Sequence, residues 1–384
     1  MGDLNISSFL FRFNVKTVLD AMTHYLYTLT SYKDIKIERL YIFPSAKCDD
    51  ACIYCEKRDT INRVGLFENR HFIDRLITDI KKLEIKEIHL FGGGEPFFYK
   101  DNMFYFLEGV KNLDTFIKII TNGNNLNDED VRRIVKDGLI SHLGLNLNTD
   151  SREMAHNIYL KEERHSHTLS VLESFSKYKK LYNTQFPFID MMFVLFNMNY
   201  DKIPNILYLL KKFDVNFFFI QPLRILTKYH NNLKLSEEQK NEFVQMLPYI
   251  EKIMDELNIR SNINDFKINK NLIEDSESQR CVVPNRVLFG RSKLACYIPL
   301  TTLAIYSDGT IPKCIYLNET YASNYFSLSS LRDFILGKEF IEFLMKFIGT
   351  DEVSPCKDCT MCLLCEIEEI RKGFCHLKRI NAGI

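Results

Sequence analysis

The sequence predicts an α/β fold of parallel strands and amphipathic helices, arranged either as a barrel or as an open sheet. Two observations favour it: six short apolar runs have the length of buried strands, and helical patterns lie between them. The 384 residues are 46% apolar and 26% charged, a composition typical of a globular protein with two or three domains. A chain of this length has ample apolar surface to form a core.

The strand candidates begin at residue 39 and recur with the spacing of strand–helix units. They are RLYIF (39–43), EIHLF (87–91), FIKII (116–120), HLGLNL (142–147), IDMMFVLF (189–196) and NFFFI (216–220). In parallel α/β folds the carboxyl ends of the strands meet at one edge, where ligands bind. We therefore expect the chemistry of this protein in the loops that follow these runs.

The helix candidates carry apolar residues on one face, at the spacing of an α-helix. They are FIDRLITDIKKL (72–83), DEDVRRIVKDGL (128–139), HTLSVLESFSKYKKL (167–181) and PNILYLLKKF (204–213). After the sixth strand, Ser236 and Gln239 form a capping-box pattern ahead of another helix. Residues 302–317 predict a β-hairpin with Asp308-Gly309 at its turn.

Charge and hydropathy exclude several classes of partner. The 50 basic residues balance the 50 acidic ones, so no net positive field attracts nucleic acid or an anionic membrane surface. No apolar run approaches the roughly 18 residues that cross a bilayer, and the first residues lack the apolar stretch of a signal peptide. We therefore expect a cytoplasmic protein with neither a nucleic-acid nor a membrane partner.

Three cysteines follow the first strand in a CxxxCxxC spacing: Cys48, Cys52 and Cys55. The reducing interior of a cell disfavours disulfides, and the odd total of 11 cysteines favours metal ligation instead. Two kinds of metal centre fit the spacing. One is a zinc site with a distant fourth ligand, and the other is a 4Fe–4S cluster with one iron left without a protein ligand.

Glycine-rich and polar segments follow the next three strands. The second strand runs into FGGGEPFF (91–98), where glycines let the backbone approach a ligand and Glu95 offers a carboxylate. A plain glycine turn is the structural alternative. TNG (121–123) and NLNT (146–149) end the third and fourth strands. Together these strand ends indicate the lining of a pocket.

These features resemble the radical S-adenosylmethionine (SAM) superfamily. Cys48, Cys52 and Cys55 match its cluster motif, and Tyr54 stands at the usual aromatic position before the last cysteine. The resemblance implies a partial (β/α)6 TIM-like barrel and a 4Fe–4S cluster whose open iron binds SAM. It also implies reductive cleavage of SAM to a 5′-deoxyadenosyl radical, which abstracts hydrogen from an unactivated C–H bond.

The resemblance extends to the SAM-binding segments. The GGEP element, which receives the SAM ammonium group in relatives, is matched by Gly93, Gly94, Glu95 and Pro96. By the same resemblance Gly123 and Asn148 would lie near the ribose and adenine of SAM. Many relatives have Ser-Leu-Asp-Gly where this chain has residues 146–149, and an arginine that often follows is represented only by Lys161 or Arg164.

Eight further cysteines lie in the last quarter of the chain. They are Cys281, Cys296, Cys314, Cys356, Cys359, Cys362, Cys365 and Cys375. Four of them form the run CKDCTMCLLC, which by itself fits a pair of zinc sites or a ferredoxin-like insert. The C-x12-G-x4-C spacing from Cys296 to Cys314, followed by clustered cysteines, resembles the SPASM extension of radical SAM enzymes. That extension carries two auxiliary 4Fe–4S clusters.

The resemblance also suggests ligand sets for the auxiliary clusters. The first would be held by Cys281, Cys296, Cys314 and Cys365. The second would be held by Cys356, Cys359, Cys362 and Cys375. The x2-x2-x2 spacing of the run departs from the usual x2-x5-x3, so the ligand assignment stays open, as does a variant with a single auxiliary cluster. Without Cys281, the first auxiliary cluster would have an open iron.

On this basis the chain divides into four parts: an N-terminal helical extension (1–34), a radical SAM partial barrel (35–230), a helical bridge and linker (231–280) and a SPASM domain (281–384). The resemblance implies SAM and three 4Fe–4S clusters as cofactors. It also implies an electron donor such as flavodoxin or ferredoxin. Auxiliary clusters favour a net two-electron oxidation, because a substrate radical must then lose a second electron.

The substrate is less well defined by the sequence. Many SPASM relatives modify ribosomally made peptides, whereas others oxidise an alcohol on a sugar or an aminocyclitol. We expect oxidative modification of a peptide, and the alternative is a dehydrogenase or tailoring enzyme that acts on a small molecule. A non-catalytic zinc or iron–sulfur protein is the hypothesis from another class. No residue identifies itself as the general base that would accept the substrate proton.

Overall fold

The computed structural model describes residues 36–55, 65–225, 228–268, 301–315 and 320–349. The predicted N-terminal extension lies outside these residues, so its structure is not described. The same holds for seven of the predicted cluster ligands: Cys281, Cys296, Cys356, Cys359, Cys362, Cys365 and Cys375. The other four predicted ligands, Cys48, Cys52, Cys55 and Cys314, lie within the described part of the chain.

Eight strands form the central sheet. They are β1 (Arg39–Ile42), β2 (Glu87–Leu90), β3 (Phe116–Thr121), β4 (His142–Asn146), β5 (Phe188–Leu195), β6 (Phe217–Pro222), β7 (Arg260–Ser261) and β8 (Thr302–Ile305). The order is β7-β6-β5-β4-β3-β2-β1-β8, and every neighbouring pair is parallel. All six predicted strands are present, each ending within two residues of the expected position.

Helices connect the strands and continue after them. They are α1 (Arg70–Leu83), α2 (Lys100–Val110), α3 (Asp128–Lys136), α4 (Arg152–Tyr159), α5 (Glu163–Leu181), α6 (Ile203–Leu210), α7 (Glu237–Leu257), α8 (Ile263–Ile268), α9 (Leu331–Ile335) and α10 (Lys338–Gly349). The predicted capping box is formed at α7, where Ser236 and Gln239 bond each other's backbone. Among the described helices, none has both the length and the apolar composition needed to cross a bilayer.

The prediction of an α/β fold with a partial barrel is confirmed. Strands β1 to β6 follow one another across the sheet, as successive strand–helix units do. Two further strands extend the sheet: β7, which the sequence did not indicate, lies beside β6, and β8, which was expected as one arm of a hairpin, lies beside β1. Within the described residues these two strands end the sheet and do not pair with each other, so the barrel is open.

The two faces of the sheet differ in chemistry. One face packs against the helices in a hydrophobic core through residues such as Leu40, Ile88, Ile117, Leu143 and Ile189. The other face carries charged side chains at the start of the strands. Arg39 Nε donates to Glu87 Oε2 at 2.7 Å, and His89 Nε2 lies 2.5 Å from Glu87 Oε1. Lys118 and Asp190, both buried, form an ion pair at 4.0 Å on this same face.

The predicted hairpin at 302–317 is only partly correct. The turn exists, since Gly309 has a φ of +79° and its amide donates to Tyr306 O at 2.9 Å. However, β8 before the turn pairs with β1 in the central sheet. After the turn, β9 (Thr310–Pro312) pairs with the antiparallel β10 (Thr320–Asn324). All four residues of β8 are buried, which suits a strand of a parallel sheet better than one arm of a surface hairpin.

The segment after β10 is attached to the first helix of the barrel. In α1, Arg75 donates to Leu328 O at 2.7 Å and also to Tyr325 O. Asp79, one helical turn away, accepts from Leu331 N at 3.2 Å and from Tyr325 Oη at 3.3 Å. These bonds connect α1 to the start of α9 and hold the C-terminal segment against the barrel.

Candidate functional site

The cysteine loop, defined here as residues 47–55, lies at the carboxyl end of β1. Cys48, Cys52 and Cys55 are half-buried in it, and none of them forms a disulfide. A bond from Cys55 N to Cys52 O at 3.1 Å closes the last turn of the loop. A second bond, from Ile53 N to Ile158 O at 3.0 Å, attaches the loop to α4. The loop is therefore held by one hydrogen bond within it and by another to α4.

The glycine turn, defined here as residues 92–95, packs directly on the cysteine loop. Glu95 N donates to Lys47 O at 2.8 Å. A Cβ atom added at Gly94 would stand 2.2 Å from Lys47 O, and one added at Gly93 would stand 2.9 Å from Ser45 O. The glycines are thus required for the close approach of two protein backbones, in addition to any approach to a ligand.

Glu95 is buried beside this contact. Its Oε1 accepts from Phe97 N at 3.0 Å and from the Thr121 hydroxyl, and its Oε2 accepts from Asn122 N at 2.8 Å. Despite these bonds, burial raises the pKa of Glu95 to about 7. The carboxyl group is therefore near its titration point at neutral pH, and a cation placed beside it would favour the charged form.

Asp50 lies between the first two cysteines and points into the protein. Its carboxylate accepts from Arg164 Nε at 3.1 Å and from Asn124 Nδ2 at 2.6 Å. Its backbone amide lies 3.4 Å from Cys48 Sγ. The side chains of Arg164 and Asp50 are 1% and 2% exposed, so this ion pair is shielded from water and salt.

Arg164 connects the cysteine loop to the carboxyl end of β4. Its NH2 group donates to Asn146 O at 3.2 Å, and its guanidinium lies 5.2 Å from the ring centre of Tyr159. Burial opposes the charged form of Arg164, but Tyr159 and Asp50 hold its pKa above the usual range. Lys161, by contrast, is partly exposed above the loop, 3.7 Å from Asp50 Oδ1, and donates to Asp49 O.

Asn148 is fully buried and forms hydrogen bonds just after the end of β4. Its side chain donates to Tyr54 Oη at 2.6 Å and accepts from Val194 N at 2.6 Å. Its backbone amide donates to Tyr159 Oη at 2.7 Å. The ring of Tyr54 packs against Phe196, with 5.7 Å between the ring centres. Asn148 therefore holds the aromatic residue of the cysteine motif in place, and its predicted contact with SAM stays a prediction.

Gly123 lies two residues after the end of β3, in a conformation that favours glycine, with a φ of +80°. Its amide donates to Thr121 Oγ1 at 3.0 Å. Next to it, Asn122 donates from Nδ2 to Asp49 Oδ1 at 2.9 Å, so the TNG segment reaches the cysteine loop. His167 Nε2 lies 3.1 Å from Gly123 O on the other side.

The thiols of the loop lie in surroundings that disfavour a bare thiolate. Burial, with the charges of Glu95 and Asp50, raises the pKa of Cys48 far above its usual range. Burial and then the charge of Asp50 raise the pKa of Cys52 to about 12, whereas Arg164 lowers it. A bound metal centre would supply the positive charge that these thiolates need, so the residues fit a metal cluster.

In the described part of the chain, no three His, Cys, Asp or Glu side chains converge on one point that a single ion would occupy. A four-iron cluster does not require such convergence, because each thiolate binds a different iron atom. The three cysteines share one short loop at the carboxyl edge of the sheet, as the sequence predicted. The donor set is therefore compatible with the predicted cluster.

Five segments thus meet at one edge of the sheet: the cysteine loop, the glycine turn and the ends of β3, β4 and β5. The sequence indicated the cysteines, the GGEP element, Gly123 and Asn148, because these stand in motifs or at strand ends. It did not indicate the roles of Asp50 and Tyr159. The acidic pair inside the cysteine motif was a visible signal for Asp50, but its partner lies 114 residues away.

Comparison with known proteins agrees with this arrangement. Residues 42–210 match the family model described as the radical SAM superfamily. This segment contains the cysteine loop, the glycine turn and the strand ends described above. No curated protein matches the chain.

Several solved structures have a similar fold. Streptococcus suis SuiB bound to S-adenosylmethionine has 17% identity and a TM-score of 0.59, over 90% of this chain and 77% of that chain. The same protein bound to precursor peptide SuiA has 19% identity and a TM-score of 0.59, over 94% and 77%. Native anSMEcpe with bound AdoMet and Cp18Cys peptide has 15% identity and a TM-score of 0.53, over 84% and 85%. At these identities the similarity concerns the fold.

Proposed function

We propose that the protein cleaves SAM reductively at its cysteine loop and oxidatively modifies a peptide, since residues 42–210 match the family model described as the radical SAM superfamily. When bound, a 4Fe–4S cluster and SAM supply a 5′-deoxyadenosyl radical, which removes a hydrogen atom from the substrate. The remaining functions belong to the side chains of this protein. They hold the cofactors, orient them and keep water away from the reacting atoms.

One observation carries the proposal: the cysteine loop and the glycine turn are packed backbone to backbone at the carboxyl edge of the sheet. Cys48, Cys52 and Cys55 would hold the cluster, and Gly93, Gly94, Glu95 and Pro96 would bind the ammonium end of SAM. The buried carboxylate of Glu95 supports this role, because an opposite charge beside it stabilises its ionised form. Tyr54, Gly123 and Asn148 would border the rest of SAM.

The oxidative outcome rests on the C-terminal cysteines. The substrate radical must lose a second electron and a proton, and auxiliary clusters at the eight C-terminal cysteines would accept that electron. Cys314 lies in the described residues just after β9, and the chain that follows β10 is packed on the barrel through α1. A flavodoxin or a ferredoxin would supply the electron that starts each turnover.

A peptide substrate is favoured by the fold. SuiB and anSMEcpe, which share the fold at TM-scores above 0.5, are both known in complexes with peptides. A small molecule such as a sugar or an aminocyclitol is the other substrate class that the sequence suggested. No contact in the described residues favours it over a peptide.

Iron content and SAM cleavage test the cofactor site. Wild-type protein reconstituted without oxygen should hold about 12 irons per chain if three four-iron clusters form. We expect the combined Cys48→Ala, Cys52→Ala, Cys55→Ala variant to hold about four irons fewer and to form no 5′-deoxyadenosine under dithionite. Thr78→Ala, on the exposed surface of α1, serves as the control and should match the wild type.

Continued 5′-deoxyadenosine production by the triple variant would refute the cofactor site. The substrate class needs a separate experiment. Any short peptide encoded beside the gene should be incubated with the reconstituted enzyme, SAM and dithionite. We expect the substrate peptide to become lighter by two hydrogen atoms in mass spectra. Oxidation of a sugar or aminocyclitol alcohol with every peptide unchanged would contradict the peptide proposal.

A further inference from the structure

We propose that the buried Asp50–Arg164 ion pair sets the reduction potential of the cluster held by the cysteine loop. This inference rests on the proposed function, because it presupposes that Cys48, Cys52 and Cys55 bind an iron–sulfur cluster. It assigns these two residues a tuning role and no contact with SAM or substrate.

The position of Asp50 supports such a role. Asp50 is part of the cysteine loop itself, with one cysteine two residues before it and another two residues after it. Its amide lies 3.4 Å from Cys48 Sγ, so the residue is in direct contact with a predicted ligand. Its carboxylate is buried and turned towards Arg164 and Asn124, which fixes the charge at one place beside the loop.

Arg164 supplies the positive charge that opposes the negative charge of Asp50. Its side chain is 1% exposed and cannot be screened by solvent ions. It is held by Asn146 O at 3.2 Å and by the Thr168 hydroxyl, in addition to Asp50. The guanidinium would therefore stay in place if the carboxylate of Asp50 were removed.

Electrostatics gives the two residues opposite effects. Reduction adds one negative charge to a cluster, and the potential depends on net charge and hydrogen bonds around the sulfurs. A nearby carboxylate disfavours that added charge, and a nearby guanidinium favours it. A purely structural role would not produce opposite signs, because removing either partner would loosen the same loop.

The test is a potentiometric titration of the reconstituted full-length protein, followed by electron paramagnetic resonance with dithionite as reductant. The signal that changes when SAM is added identifies the cluster of the cysteine loop. With all variants measured at the same pH, we expect Asp50→Asn to raise the potential. Arg164→Gln should lower it, and Arg164→Lys, which keeps the charge, should stay close to the wild type.

The double variant Asp50→Asn, Arg164→Gln should return towards the wild-type potential. Asp74→Asn removes an exposed carboxylate on α1 and serves as the control, with no shift expected. Shifts of the same sign in both single variants, or no shift in either at wild-type iron content, would overturn the proposal. If Asp50→Asn fails to retain iron, equal potentials for Arg164→Gln and Arg164→Lys would overturn it instead.

Failure of the ion-pair proposal can be distinguished from failure of the proposed function. A wild-type protein without a SAM-responsive signal and without 5′-deoxyadenosine would refute the proposed function itself. A wild-type protein that passes both measurements, with variants that show no opposite shifts, would refute only the role of the ion pair.

Discussion

Glu95 contributes both to the packing of the site and to its proposed binding of SAM. Its carboxylate accepts three hydrogen bonds from the protein, two on Oε1 and one on Oε2. One side of Oε2 is therefore available for a further donor. Burial raises the pKa of Glu95 to about 7, so a cationic partner would determine whether the group is charged at neutral pH.

This leads to a prediction about pH. If Glu95 binds the SAM ammonium group, wild-type affinity for SAM should rise as pH increases through its pKa of about 7, because only the ionised carboxylate attracts the cation. Glu95→Gln should bind SAM roughly ten- to a hundredfold more weakly at about pH 8, the loss of one charge-assisted hydrogen bond. Below about pH 6 the two proteins should converge, since wild-type Glu95 is then neutral.

Calorimetric titration of SAM into the anaerobic proteins across this range is the measurement. Glu68→Gln is the matched control, because Glu68 is exposed and pairs with Lys47 at 3.5 Å. It should keep the wild-type pH profile. A Glu95→Gln variant with the same rising profile would show that another group titrates.

The glycine turn and the cysteine loop act together as one element. Gly92 and Gly93 have φ values of +79° and +73°, in the left-handed region that favours glycine. Gly94 is different, because its requirement is purely steric: a Cβ atom would meet the backbone of Lys47 and Ala46 at 2.2 and 2.7 Å. The GGEP element is therefore explained in part by packing between the glycine turn and the cysteine loop.

Gly94→Ala tests this packing. The methyl group must push the glycine turn away from the cysteine loop, so we expect loss of about four irons per chain and of SAM cleavage. Gly138→Ala is the matched control, since Gly138 has a φ of +62° but nothing within 4 Å of an added Cβ. That control should lose about 1–2 kcal/mol of stability from backbone strain and retain its iron. Full iron retention in Gly94→Ala would contradict the packing argument.

At the scale of the whole molecule, the C-terminal part returns to the beginning of the barrel. Strand β8 pairs with β1, and the ring of Tyr306 just after it lies 4.7 Å from that of Phe43. Arg75 and Asp79 then hold residues 325–331 against α1. The described region around Cys314 is thereby connected to the same edge of the sheet as the cysteine loop.

Much of this architecture follows from local signals in the sequence. Strand and helix periodicity extends over four to twenty residues, so β1 to β6 and the helices α1, α3, α5 and α6 were predicted with errors of a few residues at their ends. Helices α2 and α4 were not among the helix candidates. The cysteine spacing and the GGEP element are also local, because a loop must supply its ligands from adjacent positions. Strand β8 was misassigned because Thr302–Ile305 is equally compatible with a hairpin until its partner is known.

The remaining features depend on residues that are distant in sequence. Asp50 meets Arg164 across 114 residues, and Arg75 meets Tyr325 across 250. No short window of sequence can specify such pairs, since they form only when the helices have brought the chain back to the sheet. The amino-acid sequence thus determined the identity and spacing of the groups proposed to do chemistry. Their buried partners were determined only by the tertiary structure, because burial and charge pairing depend on which residues lie close together in three dimensions.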